Sequence, residues 1–114
     1  MNIQIFGTNK CFDTKKAQRY FKERNIKFQY VDLTQKSLSR GELDSVRKST
    51  GLSIEEILNE KSKDYEKSFI KYIAGEEAKI EKILENGTLL KTPIVRNGKQ
   101  ATVGYSPEVW KTWE

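Results

Sequence analysis

The residue best suited to covalent chemistry in this chain is its only cysteine, Cys11, which stands at the start of a predicted helix. Free backbone amides and the helix dipole at such a position favour a thiolate. Thr14 is placed to donate its hydroxyl to the sulfur and Lys10 adds a positive charge, whereas an inward-pointing Asp13 carboxylate would oppose both. We expect the stabilising influences to dominate, so the pKa of Cys11 is predicted to lie below that of a free cysteine.

Composition leaves three roles open for Cys11: a buried small hydrophobe, a reactive thiol, or half of an intermolecular disulfide. Because the chain has no histidine, a Cys-His nucleophile pair and a histidine-dependent metal site are both excluded. We therefore predict no bound metal or cofactor. A reactive Cys11 would form mixed disulfides that a separate thiol must resolve, so the expected reductant and partner is an external low-molecular-weight thiol or thiol protein.

The segments on either side of Cys11 predict a β-α-β unit. Asn2 to Phe6 alternates as a short strand, and Phe12 to Arg24 carries its apolar residues on one stripe of an amphipathic helix that Asn25 closes. Phe28 to Val31 is rich in aromatic and β-branched residues, as a half-buried strand requires. Two strands joined by one helix over so few residues favour parallel pairing.

The middle of the chain, about residues 39–85, is predicted to be a helical insert without a strand. Ser39 with Glu42, and Ser53 with Glu56, fit the capping box that begins a helix. Two further stripes with helical spacing follow, first Tyr65, Phe69, Tyr72 and Ile73, and then Ile80, Ile83 and Leu84, which stop at Asn86-Gly87.

The end of the chain predicts two antiparallel strands and a last helix. The strands run from Pro93 to Arg96 and from Lys99 to Val103 around an Asn97-Gly98 turn. Ser106 as N-cap and Pro107 at the first helical position begin the helix. Its aromatic residues, expected to face the core, are Trp110 and Trp113. The whole predicts an α/β fold, a thioredoxin-like four-stranded mixed sheet (βαβ…ββα) with the helical insert between the second and third strands.

The length and charge of the chain limit the number of domains and the kinds of partner that it can have. At 114 residues the chain suits a single domain, 1–114. The formal charge of +5 is spread over interleaved basic and acidic residues, which is typical of solvated helix faces rather than of a nucleic-acid surface. We find no apolar run long enough to span a membrane and no secretory signal, so we expect a cytoplasmic protein.

Three stretches of the sequence resemble the arsenate reductase-like (ArsC/Spx) family of thioredoxin-fold proteins: residues 6–17, which read FGTNKCFDTKKA, residues 90–95, LKTPIV, and residues 103–105, VGY. The resemblance runs from the first strand to the last helix. It implies a catalytic thiol at Cys11 and a cis peptide before Pro93, which by itself would be taken for a trans proline opening a strand. It also places a substrate- or thiol-binding site at Thr8, Asn9, Thr92, Pro93 and Tyr105.

The sequence departs from this family at the positions that would bind arsenate. The resemblance implies three arginines around the oxyanion, where this chain has Asn59, Thr92 and Tyr105, so efficient arsenate reduction is not expected. The Cys-x-x-Cys switch of the Spx regulators is replaced by residues 11–14, CFDT. Two functions remain open. One is a thiol-dependent oxidoreductase that uses Cys11 with an external thiol, and the other is an Spx-like regulator that binds RNA polymerase without catalysis.

Overall fold

A four-stranded mixed sheet forms the centre of the fold, in a computed structural model that describes residues 1–114. Its strands are β1 (Ile3–Gly7), β2 (Phe28–Asp32), β3 (Ile94–Asn97) and β4 (Gln100–Val103). They lie in the order β2-β1-β3-β4, with β1 parallel to β2 and antiparallel to β3, and with β3 antiparallel to β4. The predicted mixed sheet, with its first two strands parallel, is confirmed.

Helix α1 (Phe12–Glu23) joins the parallel strands. Its buried residues include Ala17, Tyr20 and Phe21, which are the apolar stripe of the amphipathic helix. The helix ends at Arg24, and Asn25 follows with a φ of 57°, the left-handed conformation that asparagine adopts more readily than most residues. Both predicted ends of the helix are confirmed to within one residue.

The insert contains α2 (Arg40–Thr50), α3 (Ile54–Ile57), α4 (Lys63–Ser68) and α5 (Glu76–Glu85). Both predicted capping boxes are formed, since Ser39 and Ser53 each accept a bond from the backbone of the glutamate three residues on, and each glutamate side chain bonds back. No strand lies in the insert, although Leu58 forms an isolated antiparallel bridge with Leu90.

The predicted apolar stripe through Phe69 and Tyr72 is wrong. Helix α4 ends at Ser68, whose hydroxyl donates to the Tyr65 carbonyl at 2.8 Å and accepts from the Ile70 amide at 3.2 Å. A serine side chain that bonds to nearby backbone in this way competes with the helix. Phe69 then takes a φ of 56°, which leaves it and Tyr72 exposed and turns Ile70 inward instead.

The predicted hairpin is confirmed, but its turn is displaced by one residue. Asn97 pairs with Gln100, so the two turn residues are Gly98 and Lys99 rather than Asn97 and Gly98. Gly98 has a φ of 60°, and glycine at the first turn position is typical of a type II′ turn, which suits the twist of the strands.

The last helix, α6, spans Pro107–Trp110 and is followed by a 3-10 turn over Lys111–Trp113. Pro107 occupies the first turn as predicted, but the Ser106 side chain does not cap the helix, because its hydroxyl donates to the Gly104 carbonyl at 3.4 Å instead. Trp110 is fully buried and donates its indole N–H to Thr102 at 2.8 Å.

Both faces of the sheet are covered, and the alternation of neighbouring strand residues explains how. Ile5 of β1 and Val95 of β3 pack with α1 and Trp110 on one side, whereas Phe6 and Ile94 pack with the insert helices on the other. The end of β1 and the start of β3 therefore lie between two packed layers, and this is where the chain enters α1. None of the helices combines the length and apolar character needed to cross a bilayer.

Candidate active site at the start of helix α1

The sulfur of Cys11 is held at the N-terminus of α1, where Cys11 is the N-cap residue. Its backbone N–H donates to the Thr8 carbonyl at 3.2 Å, and its carbonyl accepts the first helical hydrogen bond from Lys15 at 3.2 Å. The residue is half-buried and the thiol is free. No capping hydrogen bond to the side chain is completed in this conformation, so the sulfur remains available to a partner.

Partial burial raises the pKa of the Cys11 thiol, but hydrogen bonds outweigh it and leave the pKa below its ordinary value. The donors are the hydroxyls of Thr14 and Thr92 and the backbone amides of Thr14 and Asp13 at the helix start. This direction is the one that the sequence predicts. Hydrogen-bond donors account for it, and the stabilising role of Lys10 stays a prediction.

Thr14 is fully buried beneath the sulfur, and Gly7 makes room for it. A Cβ atom at Gly7 would lie 2.4 Å from both Cγ2 and Oγ1 of Thr14, far inside van der Waals contact. The Thr14 hydroxyl has no partner that completes a hydrogen bond in this conformation, although it is near enough to the sulfur to lower the pKa of Cys11. The Thr14 hydroxyl can therefore donate a hydrogen bond to Cys11 when the sulfur is ionised.

The peptide bond between Thr92 and Pro93 is cis, as the family resemblance implies. The Thr92 carbonyl accepts from the Cys11 thiol at 3.7 Å, which places the backbone before Pro93 against the sulfur. The insert holds this segment in place, because the Lys91 amide donates to the Ile57 carbonyl at 2.9 Å. Pro93 itself is buried, and its carbonyl accepts from the Gly104 amide at 2.8 Å.

A cavity of about 640 Å³ opens beside Cys11. The predicted site residues that line it with Cys11 are Thr8, Asn9, Lys10 and Thr92, and Asn59 lines it too. Tyr105 does not line this cavity: it is 41% exposed, packs against Trp110 and faces a separate groove between α1 and α6. The lining residues that the sequence did not single out are Asp32, Thr34, Ser62, Asp64, Thr88 and Leu90.

Among the polar ones of these additional residues, only one had a signal in the sequence. Asp32 ends β2 directly beside Gly7 in the parallel pair, and the carboxyl ends of parallel strands share one edge of a sheet. Asp64 comes from the insert and Thr88 from the turn after α5, and nothing in their local sequence indicates that these two segments fold over Cys11.

The polar side chains of this cavity are fixed by hydrogen bonds. The Thr34 amide and hydroxyl donate to Oδ1 of Asp32 at 2.9 and 2.7 Å, and the Thr88 hydroxyl donates to Oδ2 of Asp64. Tyr30 donates its hydroxyl to Asn9 at 2.9 Å. Burial raises the pKa of Tyr30, and the negative charges of Asp32 and Cys11 raise it further. The carboxylate of Asp32 and the sulfur of Cys11 therefore both lie near the Tyr30 hydroxyl.

Thr14→Val is expected to raise the pKa of Cys11 without destabilising the fold. Valine fills the same space but donates nothing to the thiolate, and it removes a buried hydroxyl that lacks a completed hydrogen bond. The free energy of unfolding, measured by urea at mildly acidic pH, should stay the same or rise by about 1 kcal/mol. The pH dependence of Cys11 alkylation gives the pKa, and Thr14→Ser, which keeps the hydroxyl, is the matched control. An unchanged pKa in the valine variant would contradict this role for Thr14.

The sequence and the fold of this chain are similar to those of known proteins. The sequence model of the ArsC family matches residues 6–113. A global transcriptional regulator, Spx 2 of Oceanobacillus iheyensis, is 28% identical over 109 residues, which cover 92% of this chain and 78% of the relative. An ArsC family related protein from Bacteroides fragilis superposes with a TM-score of 0.82 over all of both chains at 23% identity. An arsenate reductase from Vibrio cholerae also superposes with a TM-score of 0.82, over 96% of this chain and 94% of the reductase chain, at 22% identity. The predicted thioredoxin-like fold is confirmed.

Proposed function

The chain belongs to the ArsC family, and from that premise we propose that it is a thiol-disulfide oxidoreductase with Cys11 as its single nucleophile. The Cys11 thiolate attacks one sulfur of a disulfide, the Cys11–S bond forms as the S–S bond breaks, and the leaving thiolate takes up a proton. An external low-molecular-weight thiol or thiol protein then attacks the mixed disulfide and releases the Cys11 thiolate with a new disulfide. Each cycle consumes and forms one disulfide, so no bound cofactor is needed.

The observation that carries this proposal is the accessible sulfur with a lowered pKa at the head of α1. A thiolate is the nucleophile in disulfide exchange, and a helix N-terminus with additional donors raises the fraction present near neutral pH. Thr92 and the cis peptide hold backbone beside the sulfur, where an extended substrate could dock. Lys10 and Thr14 are the proposed thiolate-stabilising side chains, Thr14 by its hydroxyl, whereas Lys10 would act only at longer range.

Arsenate is a poor substrate in this proposal. Asn59 and Thr92, two of the positions where the family resemblance implies arginine, do line the cavity, but neither carries a charge. The third, Tyr105, faces a different groove. The one cation in the lining is Lys10, set against the carboxylates of Asp32 and Asp64. With thiol reductants present, we expect no arsenite formation above background, and robust arsenate reduction would contradict this reading of the cavity.

Adduct formation with hydroxyethyl disulfide tests the proposed activity. At mildly acidic pH the folded protein should gain one mercaptoethanol adduct, measured by intact mass, faster than the same chain unfolded in urea, because more of its thiol is ionised. Excess thiol should then remove the adduct. If the unfolded chain reacts and the folded protein does not, the thiol is inert in the fold and the proposal fails.

A second function, regulation through RNA polymerase without catalysis, is favoured by the similarity to the Spx regulators over most of this chain. In that case the exposed surface of the insert would bind the polymerase, and Cys11 would be a sensor or have no role. Thr14 stands where a Cys-x-x-Cys switch has its second cysteine, so any response through a disulfide would require an external thiol.

A further inference from the structure

We infer that the groove between α1 and α6 binds an acidic segment of the protein whose disulfide exchanges with Cys11. This inference deepens the proposed exchange activity and rests on it, because it names the disulfide substrate as an acidic protein. It is carried by the excess of cations in the groove, by an arginine there that no other group engages, and by a carboxylate of the chain itself that binds at one end.

The groove is a cavity of about 430 Å³ whose lining is strongly basic. It contains a single carboxylate, that of Glu23, and four cationic side chains: Lys16, Arg19, Arg24 and Lys111. Like charges gathered in one concave surface repel one another and attract ligands of the opposite sign. The groove therefore suits a partner that brings several carboxylates.

Arg19 is the one arginine of the chain whose guanidinium no other group engages. Each of the others forms an ion pair and donates a side-chain hydrogen bond: Arg24, Arg40, Arg47 and Arg96. Arg19 does neither, and Lys16 and Lys111 also belong to none of the ion pairs of the molecule. Because a guanidinium binds a carboxylate through two parallel hydrogen bonds, Arg19 is free to bind a carboxylate of a partner in this way.

The chain itself shows how this groove holds a carboxylate. Oε2 of Glu114 accepts from the Tyr20 hydroxyl at 3.1 Å and lies 3.9 Å from Nε of Arg24. The Arg24 guanidinium also lies over the Tyr20 ring, 3.6 Å from its centroid. Glu114 thus neutralises the Arg24 end of the groove and leaves Arg19 to a carboxylate of the partner.

The other end of the groove lies near the reacting sulfur. Lys16 follows Cys11 by about 8 Å along the axis of α1, and its ammonium lies over the Tyr105 ring, 5.6 Å from the centroid. The residue before Tyr105, Gly104, donates its amide to the Pro93 carbonyl at 2.8 Å, which joins this wall of the groove to the cis peptide beside the sulfur. Since about two or three extended residues span such a distance, a partner whose sulfur meets Cys11 can place a nearby acidic segment in the groove.

Two peptide disulfides of matched length test the preference for acidic partners. In one peptide a single cysteine is flanked on each side by a Gly-Ser spacer and four glutamates, in the other glutamines replace the glutamates, and both carry mercaptoethanol as a mixed disulfide. The total rate of Cys11 adduct formation is measured by intact mass at low ionic strength and divided by the rate of the same peptide with free mercaptoethanol. We expect a normalised preference of roughly tenfold for the glutamate peptide, decreasing at high salt.

Arg19→Gln with Lys111→Gln should reduce this preference to about twofold or less, because glutamine keeps a polar side chain but no charge. Lys48→Gln with Lys99→Gln is the matched control, since both lysines are exposed, belong to no ion pair and lie outside the groove. It removes the same charge and should leave the preference unchanged. Equal normalised rates for the two peptides, or an equal loss in both double variants, would overturn the groove as the binding surface while leaving exchange at Cys11 intact.

Binding of a fluorescent glutamate peptide that lacks cysteine separates docking from exchange. Its anisotropy should rise with the wild-type protein and much less with the variant that lacks the charges of Arg19 and Lys111. If the folded protein binds this peptide but forms no Cys11 adduct with either peptide disulfide, the exchange activity fails, and the link between the groove and Cys11 with it. A single-stranded oligothymidylate of equal charge that binds more tightly through the same two residues would make the occupant a nucleic acid and overturn the proposal.

Discussion

Cys11→Ser is expected to abolish adduct formation with every disulfide while the fold remains intact. Serine keeps the size of the side chain, but its hydroxyl does not ionise near neutral pH and cannot exchange with a disulfide. The neutral thiol donates one weak hydrogen bond, to the Thr92 carbonyl at 3.7 Å, so the free energy of unfolding should change by less than about 1 kcal/mol. Intact mass after disulfide treatment and urea unfolding measure the two effects. Residual adduct in the serine variant would mean that the reaction does not occur at Cys11.

The same variant separates the two candidate functions. In a pull-down from cell extract, an exchange enzyme should capture thiol proteins through reducible bonds that depend on Cys11, and Cys11→Ser should lose them. A polymerase-binding regulator should retain polymerase equally well with either residue. Polymerase capture that is unchanged by the substitution, together with the absence of any reducible partner, would favour regulation over catalysis.

Gly7→Ala is expected to disturb both the stability and the chemistry of the site. The added Cβ would meet Thr14 at 2.4 Å, and neither residue can move freely because both are buried. Overpacking of this kind typically costs about 1–3 kcal/mol. If Thr14 gives way, its hydroxyl moves from the sulfur, so the pKa of Cys11 should rise as well. Urea unfolding gives the first effect and pH-dependent alkylation the second.

Gly41→Ala is the control for this substitution. Gly41 lies in the first turn of α2, and a Cβ atom there meets nothing within 4 Å. Alanine should therefore stabilise the protein by about 0.5 kcal/mol through its helix propensity and leave the pKa of Cys11 unchanged. A Gly7→Ala protein as stable as the wild type, with an unshifted thiol pKa, would show that Thr14 is not held against Gly7 in the way described.

Sequence patterns predicted the fold where local chemistry determines structure. The capping residues Ser39 and Ser53, the asparagine after α1 and the alternating strand residues all act through neighbours in the chain, and they lie where expected. Ser106 is the exception, since it does not cap α6. The stripe through Phe69 failed because the Ser68 side chain competes for backbone hydrogen bonds and ends the helix early. Periodicity describes which side chains could share a face, but it does not reveal such a break.

The candidate site was less predictable than the fold. Cys11, Thr14 and the loop before them are close in sequence, so helix geometry sufficed to bring them together. Asp64 lines the cavity beside Cys11 only through the packing of the insert, which no local pattern specifies. Tyr105 was expected in the site from the family resemblance, but its ring packs on Trp110, and this contact directs it towards the groove between α1 and α6.

The lowered pKa of Cys11 also makes stability depend on pH. Because the pKa is lower in the folded protein than in the unfolded chain, the folded state binds fewer protons between the two values. The resulting stabilisation is fully present above the unfolded pKa and is lost as pH falls through the folded pKa. The difference in unfolding free energy between wild type and Cys11→Ser should therefore shift in favour of the wild type as pH rises through this window.

The pH midpoint of Cys11 alkylation tests the central claim most directly. The rate of alkylation by iodoacetamide is measured across a pH series for the folded protein and for the same chain unfolded in urea. The pH midpoints are compared rather than the plateau rates, because a less basic thiolate is also a weaker nucleophile. A thiolate stabilised by the α1 amides, Thr14 and Thr92 predicts a midpoint for the folded protein below that of the unfolded chain. A folded midpoint equal to or above the unfolded one would make Cys11 an ordinary structural thiol and contradict its assignment as a nucleophile.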